Sequence, residues 1–446
     1  MERDNFGNRF GVLVAMAGSA VGLGNLWRFP FLVGTNGGAA FIIIYLIFVL
    51  FLCLPIMYAE FIIGRRSGAN AFGAFKVLAP KSHWNIIGVL GVLASISILA
   101  FYSVVGGWTI DYIYRALTFQ FSTSNFAELN TIFAKSTSSV IEPIIYLFIF
   151  LALTGSVVLA GVKKGIEKYT KIMMPMLFIM VIIIAIRSIT LPNSADGLTF
   201  LFKPDFSKVT ADTILAALGQ AFFSLSLGCG CIITYGSYVK KSENIMLAST
   251  YTSLADTTFA IIAGMAIMPA VFSFGISPSE GPGLVFITLP MVFAQMTFGS
   301  IIAILFFFIL FIAAITSSIS LLEVVVAFMV EELKIKRIPS VIIAVLVITI
   351  LSTLCSLSLG ILSDFTIFGY SIFDCFDKLS ANILMPIGGL LVVIFVGWRM
   401  KKADFIEEVT NCNSLKIKKW FLFMSYYTIK FIAPIVIIII MLNAIL

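Results

Sequence analysis

The chain has 446 residues, 60% of them hydrophobic and 11% charged, with a mean hydropathy of +1.09. A soluble core of ordinary proportions cannot hide that much apolar surface, so composition excludes a soluble globular protein and points to a polytopic membrane protein. The formal net charge of +7 does not mark a nucleic-acid binder, because the basic residues divide by membrane side instead of forming one basic domain.

Apolar runs of spanning length fall near 10–33, 39–63, 86–118, 141–160, 168–189, 213–238, 244–274, 299–332, 339–358, 372–398 and 420–445. Each is adequate for roughly 30 Å of hydrocarbon. They predict an all-α polytopic membrane helical bundle of eleven transmembrane helices. A closed barrel would need alternating strands of about ten residues instead. The first run lacks an A-x-A cleavage pattern, so the amino terminus is expected to be retained.

With that terminus inside, the connections on its side hold most of the 29 lysines and arginines, among them Arg65, Arg66, Lys163, Lys164, Lys240, Lys241, Lys334, Lys336, Arg337, Lys401 and Lys402. The positive-inside rule then predicts a multi-pass protein of the cell (inner) membrane, with a cytoplasmic amino terminus and an external carboxyl terminus. The six cysteines have neither zinc-site nor disulfide-framework spacing. Outer connections are expected near 119–140, 190–212 and 275–298, the last with SPSEGPGLVFITLP, whose Gly and Pro residues predict a folded lid.

Two spans, five apart, are interrupted: helix 1 by GSAVGLGN and helix 6 by SLSLGCGC. Matching interruptions in two halves point to an internal repeat with a binding site at its interface. A broken helix exposes amides and carbonyls that lipid cannot satisfy. Half-helix amino ends favour a carboxylate, while carboxyl ends and unwound carbonyls favour a cation. The glycines therefore leave room and backbone groups for a small zwitterion and its coupling ions. An isolated small-x-x-x-small pattern is more often simple packing; the pairing of two interruptions reverses that preference.

GSAVGLGNLWRFP at 18–30, NGGAAF at 36–41, AFFSLSLGCG at 221–230, GPGLVF at 281–286 and AAITSSIS at 313–320 resemble the neurotransmitter:sodium symporter family along nearly the whole chain. The resemblance implies a single transporter domain over 1–446: a five-plus-five inverted repeat of 1–189 and 190–398, with 399–446 adding helix 11, as in some bacterial members. It also implies sodium-coupled symport of an L-amino acid by alternating access, with two sodium sites. The first would use Ala20, Asn25, Ser224, Asp256 and the substrate carboxylate; the second, carbonyls of Gly18, Val21 and Ala313 with the hydroxyls of Thr316 and Ser317. Oxygen-only sets of this kind suit a hard cation.

On the same resemblance, Gly22 leaves space for a carboxylate, because monoamine carriers have Asp there. That carboxylate would meet the amides of Leu23 and Gly24 and the Tyr102 hydroxyl, and the amino group the carbonyls of Ala20, Phe223 and Ser226. Ile98, Tyr102, Phe223, Ser226, Cys229, Ser318 and Leu321 would form a mainly apolar pocket for a large aliphatic or aromatic side chain. Asp256 stands where Asn is common, and Ala260 where chloride-binding relatives have Ser. A fixed carboxylate beside Tyr45, Gln220 and Ser224 implies independence from chloride.

Arg28 and Asp377 match the family's outer gate, and Arg3 and Glu331 its inner gate, with Phe6 and Tyr238 beside the latter. Gly165 and Pro175 match a helix 5 pattern that weakens the helix and would let it unwind and hydrate the second sodium site. Glu60 is placed to bond the unwound helix 6 backbone. An intramembrane enzyme would be a protein of another class, but no H-E-x-x-H, G-x-S-x-G or P-loop supplies a catalytic set. A chloride-dependent carrier of a small amino acid, a channel or an amino-acid sensor with the transporter fold would retain the same binding residues.

Overall fold

A computed structural model of the chain describes residues 9–121, 126–275, 277, 278, 284–294, 296–412, 414, 415 and 417–445. Among them, nine helices are long and apolar enough to cross a membrane: helix 2 (Ala39–Ser67), helix 3 (Ile86–Leu117), helix 4 (Ile141–Leu159), helix 5 (Gly165–Ile189), helix 7 (Ile245–Ser273), helix 8 (Gly299–Glu331), helix 9 (Arg337–Leu357), helix 10 (Ile372–Arg399) and helix 11 (Lys419–Leu442). Helix 1 is a pair, 1a (Gly11–Ala20) and 1b (Gly24–Thr35), bent by 43°. Helix 6 is split into 6a (Ala211–Ser224) and 6b (Cys231–Gly236), each too short to cross alone. Counting each split pair once gives the expected all-helical bundle.

The interrupted helices lie at the centre because their neighbours bury them. Helix 1a packs against helices 5, 7 and 8, helix 6b against helices 2 and 8, and helix 3 against helices 8, 9 and 10. Outward faces of helices 2, 5, 9 and 11 keep residues such as Phe51, Ile183, Ile350 and Ile439 exposed, as a lipid-facing surface requires. Short amphipathic helices cap the connections, including Ser194–Phe202 between helices 5 and 6 and Lys402–Val409 between helices 10 and 11.

The start of helix 5, expected to be able to unwind, is wound in this structure. Gly161 (φ 83°) breaks the chain, yet residues Val162–Glu167 wind as a wide turn that runs directly into Lys168–Ile189, through Pro175. The Thr170 hydroxyl, bonded to the Ile166 carbonyl at 2.8 Å, ties the segment to the next turn.

Candidate functional site

The chain leaves helical geometry over Val21 and Gly22. A Cβ on Gly22 would lie 2.0 Å from Ser317 Oγ and 3.2 Å from the Tyr102 hydroxyl, so helices 1, 3 and 8 meet there with space only for glycine. In helix 6 the break spans Leu225–Gly230, with Ser226, Gly228 and Gly230 at φ of 53°, 76° and 78°. Left-handed backbone is strained for a residue with a side chain. The Ser226 hydroxyl offsets this by donating to the Ser19 carbonyl at 2.9 Å.

Other helices satisfy the freed backbone groups, as a lipid environment demands. The Gly228 amide donates to Glu60 Oε1 on helix 2 at 2.7 Å, and the Ser95 hydroxyl on helix 3 donates to the Cys229 carbonyl at 2.8 Å. In helix 1 the Gly22 amide donates to Asn25 Oδ1 (3.0 Å), the Leu23 amide to the Tyr102 hydroxyl oxygen (3.3 Å), and Gln220 Nε2 to the Gly24 carbonyl (2.9 Å). Glu60 thus takes its expected place. Ser95 and the Gln220–Gly24 bond have no local signal in the sequence.

Between the breaks lies a small cavity lined by Ser19, Ala20, Gly22, Gly24, Ile98, Tyr102, Phe223, Ser224, Ser226, Cys229, Ser317, Leu321 and Met385. Its lining combines small and polar residues with Ile98, Phe223, Cys229, Leu321 and Met385. Leu23, expected here, presents its backbone amide to Tyr102. Ser318 is a correction. Its hydroxyl bonds Thr154 on helix 4 at 2.9 Å and the Ile315 carbonyl at 3.0 Å, and Ser317 faces the cavity instead. Met385 is an addition that no sequence motif announces; its carbonyl sits where a Cβ on Gly228 would fall, at 2.0 Å.

Beside the cavity, Asp256 is fully buried and gathers donors from three helices. Tyr45 donates to its Oδ2 at 3.1 Å, Ser224 reaches both carboxylate oxygens at 2.8 and 2.9 Å, and Asn25 Nδ2 donates to Oδ1 at 2.8 Å. The structure therefore brings Asn25, Ser224 and Asp256 together, and Ala20 lines the adjoining cavity with Ser224. A second oxygen cluster joins helices 1a and 8, where the Thr316 hydroxyl lies 3.1 Å from the Ala313 carbonyl and 3.5 Å from that of Val21. Gly18 faces helix 5, where a Cβ would meet Thr170 at 3.2 Å. Among the described residues no group of three His, Cys, Asp or Glu forms a soft or borderline metal site; hydroxyls, carbonyls and a single carboxylate are the donors of a hard cation.

Above the cavity, Arg28 acts electrostatically on Asp377, its expected partner, without a direct ion pair. Its NH1 donates to Gln220 Oε1 at 3.1 Å and its guanidinium lies 5.0 Å from the Phe223 ring centre. Among the described residues no ion pair joins it to Asp377. Phe223 lines the cavity beneath Arg28, and Tyr102 lines it from helix 3 with its hydroxyl at the helix 1 break. Of the inner gate, Arg3 and Phe6 lie outside the described residues. Glu331 accepts from the amide and side chain of Asn70, both at 2.9 Å. Tyr238 donates to Glu323 (2.8 Å), which also binds Arg337 at 2.6 Å. Part of the lid, residues 279–283, lies outside the described residues as well.

The model of the sodium:neurotransmitter symporter family matches residues 3–131 and 121–446. The chain belongs to that family. It is a sodium-dependent transporter and not an enzyme. A sodium-dependent transporter of Bacillus subtilis (strain 168) is 40% identical over 98% of this chain and 97% of its own length. One from Haemophilus influenzae (strain ATCC 51907 / DSM 11121 / KW20 / Rd) is 37% identical over 99% and 98%. The crystal structure of MhsT in complex with L-phenylalanine superposes with a TM-score of 0.94 at 42% identity, covering 99% of this chain and 100% of that one.

Proposed function

We propose that this symporter carries a large hydrophobic or aromatic L-amino acid with two sodium ions and without chloride, by alternating access, its amino terminus on the cytoplasmic side. The observation that carries the reading is the cavity at the paired helix breaks, polar against Gly22, Gly24 and Ser226 and apolar against Ile98, Cys229, Leu321 and Met385. MhsT, similar over its whole length, is a structure in complex with L-phenylalanine, which supports an aromatic substrate.

In this reading the substrate carboxylate takes the Leu23 and Gly24 amides and the Tyr102 hydroxyl, and the amino group takes the Ala20, Phe223 and Ser226 carbonyls. Ala20, Asn25, Ser224 and Asp256 hold the first sodium; Gly18, Val21, Ala313, Thr316 and Ser317 hold the second. Because the substrate carboxylate would complete the first ion's shell, each ligand raises the affinity of the other by the same factor. A monovalent ion crossing 100 mV releases about 2.3 kcal/mol, so two support accumulation on the order of a thousandfold. Asp256 supplies the fixed negative charge that a chloride ion would otherwise bring.

The test is uptake of labelled L-phenylalanine into proteoliposomes, with a panel of unlabelled amino acids as competitors, in sodium chloride, sodium gluconate and potassium gluconate. Uphill uptake in both sodium media and none in potassium is expected. Binding without accumulation would identify a sensor, and loss of uptake in gluconate a chloride-dependent carrier.

A further inference from the structure

At the basic end of helices 10 and 11, charge is distributed unevenly. The helix Lys402–Val409 carries Asp404, Glu407 and Glu408, and all three turn to helix 2: Asp404 and Glu407 pair with Arg66 at 2.8 and 3.0 Å, and Glu408 with Arg65 at 2.8 Å. The hydrogen bond from Arg66 holds the Glu407 carboxyl below the usual carboxylate range. Helix 2 thus uses the local acids. Arg399, Lys401, Lys402, Lys418, Lys419 and Lys430 have no carboxylate partner among the described residues.

Two of these lysines share one aromatic cluster. Lys402 Nζ lies 4.9, 5.3 and 5.7 Å from the ring centres of Tyr427, Tyr426 and Phe423. Lys430 Nζ lies 5.0, 5.6 and 5.9 Å from those of Trp398, Phe431 and Tyr426. They share Tyr426, so the two ammonium groups are no further apart than their two distances to that ring combined. Phe423, Trp398 and Phe431 are exposed on the membrane side.

Lys430 is the unusual member: it lies well inside helix 11, yet it meets Trp398, next to last in helix 10, so it is level with the basic end of that span. An ammonium at the edge of the hydrocarbon is costly unless it finds a partner or reaches the headgroups. Its backbone is fixed: Trp398 Nε1 donates to the Lys430 carbonyl at 2.9 Å, and a Cβ on Gly397 would be 2.8 Å from Lys430 Cα. Side chains on a helix lean toward its amino end, so Lys430 reaches back over Tyr426 toward Lys402 and the headgroup region. Aromatic rings attract these cations but leave their hydrogen-bond donors unused.

We propose that Lys402 and Lys430, framed by Trp398, Tyr426 and Tyr427, form a site for the phosphate headgroup of an anionic phospholipid in the adjoining leaflet. The bilayer supplies the anion and the exposed rings take the glycerol and upper acyl carbons. Tethering of this kind fixes helix 11 against helix 10 at one depth.

Native mass spectrometry of the full-length protein, titrated with dioleoyl-phosphatidylglycerol or dioleoyl-phosphatidylcholine, tests the site. Phosphatidylglycerol binding should exceed phosphatidylcholine binding, and Lys402→Gln/Lys430→Gln should weaken it roughly thirtyfold, which is about 2 kcal/mol at 1.4 kcal/mol per decade. The Lys402→Arg/Lys430→Arg variant should retain the preference, and sodium-dependent substrate binding should be unchanged in both, which guards against misfolding. An unaltered preference in the Gln variant overturns the proposal. So does competition by millimolar inorganic phosphate that displaces the lipid fully, since that indicates a general anion site.

Discussion

The Tyr45 hydroxyl on helix 2 donates to Asp256 Oδ2 on helix 7 at 3.1 Å, and the other oxygen of the same carboxylate takes Asn25 from helix 1. A buried carboxyl group therefore sits among hydrogen-bond donors at the place expected for the first sodium. Asp256→Asn keeps the size and removes the charge. Uptake in gluconate should fall by on the order of tenfold to a hundredfold, with partial recovery in chloride. Equal uptake by variant and parent in both media would remove Asp256 from any charge-balancing role.

Gly22→Ala places a methyl on Ser317 Oγ. Overpacking at such a junction costs about 1–3 kcal/mol, and here the displaced groups line the cavity. Substrate affinity measured by scintillation proximity should fall about tenfold to a hundredfold, with thermal stability much less affected. An unchanged affinity would show that the junction is slack.

Much of this architecture is legible in the sequence because apolar run length and glycine clustering are local signals. The break in helix 6 needs left-handed backbone at Gly228 and Gly230, and SLSLGCGC announces it. What closes the break is not local: Glu60 lies 168 positions before its partner Gly228, and no periodicity links them beyond a buried carboxylate needing a donor. The SSIS stretch at 317–320 shows the same limit. One residue turns a helix by 100°, so spacing alone does not separate Ser317, facing the cavity, from Ser318, bonded to Thr154. For Arg28, charge suggests charge and the motif points to Asp377; the two interact at a distance, while the direct contacts of the guanidinium are an amide and a ring.

Glu60→Gln preserves an acceptor for the Gly228 amide, whereas Glu60→Leu leaves that buried N–H unpaired. The leucine variant should lose about 1–3 kcal/mol, seen as a lower thermal midpoint in detergent, and the glutamine variant far less. Equal stability of the two would mean that another group satisfies the amide.

Arg337 binds Glu323 through two nitrogens at 2.6 and 3.2 Å and the Val158 carbonyl at 2.7 Å. The Glu323 carboxylate is buried while the arginine is 28% exposed. Removing the arginine alone strands the acid, so Arg337→Gln should cost roughly 3 kcal/mol, the lower end for a broken buried pair. Arg337→Gln/Glu323→Gln should recover part of that loss. A double variant less stable than the single one would contradict this assignment.

The clasp on the unwound stretch of helix 6 also limits which motions are cheap. Helices 1, 2 and 3 each contribute one of its hydrogen bonds, and helix 10 abuts Gly228 with no side chain between. Any rearrangement that dragged this stretch away would strand several polar groups at once in hydrocarbon. The middle of the molecule is therefore suited to act as a fulcrum, with the half-helices swinging on either side of it.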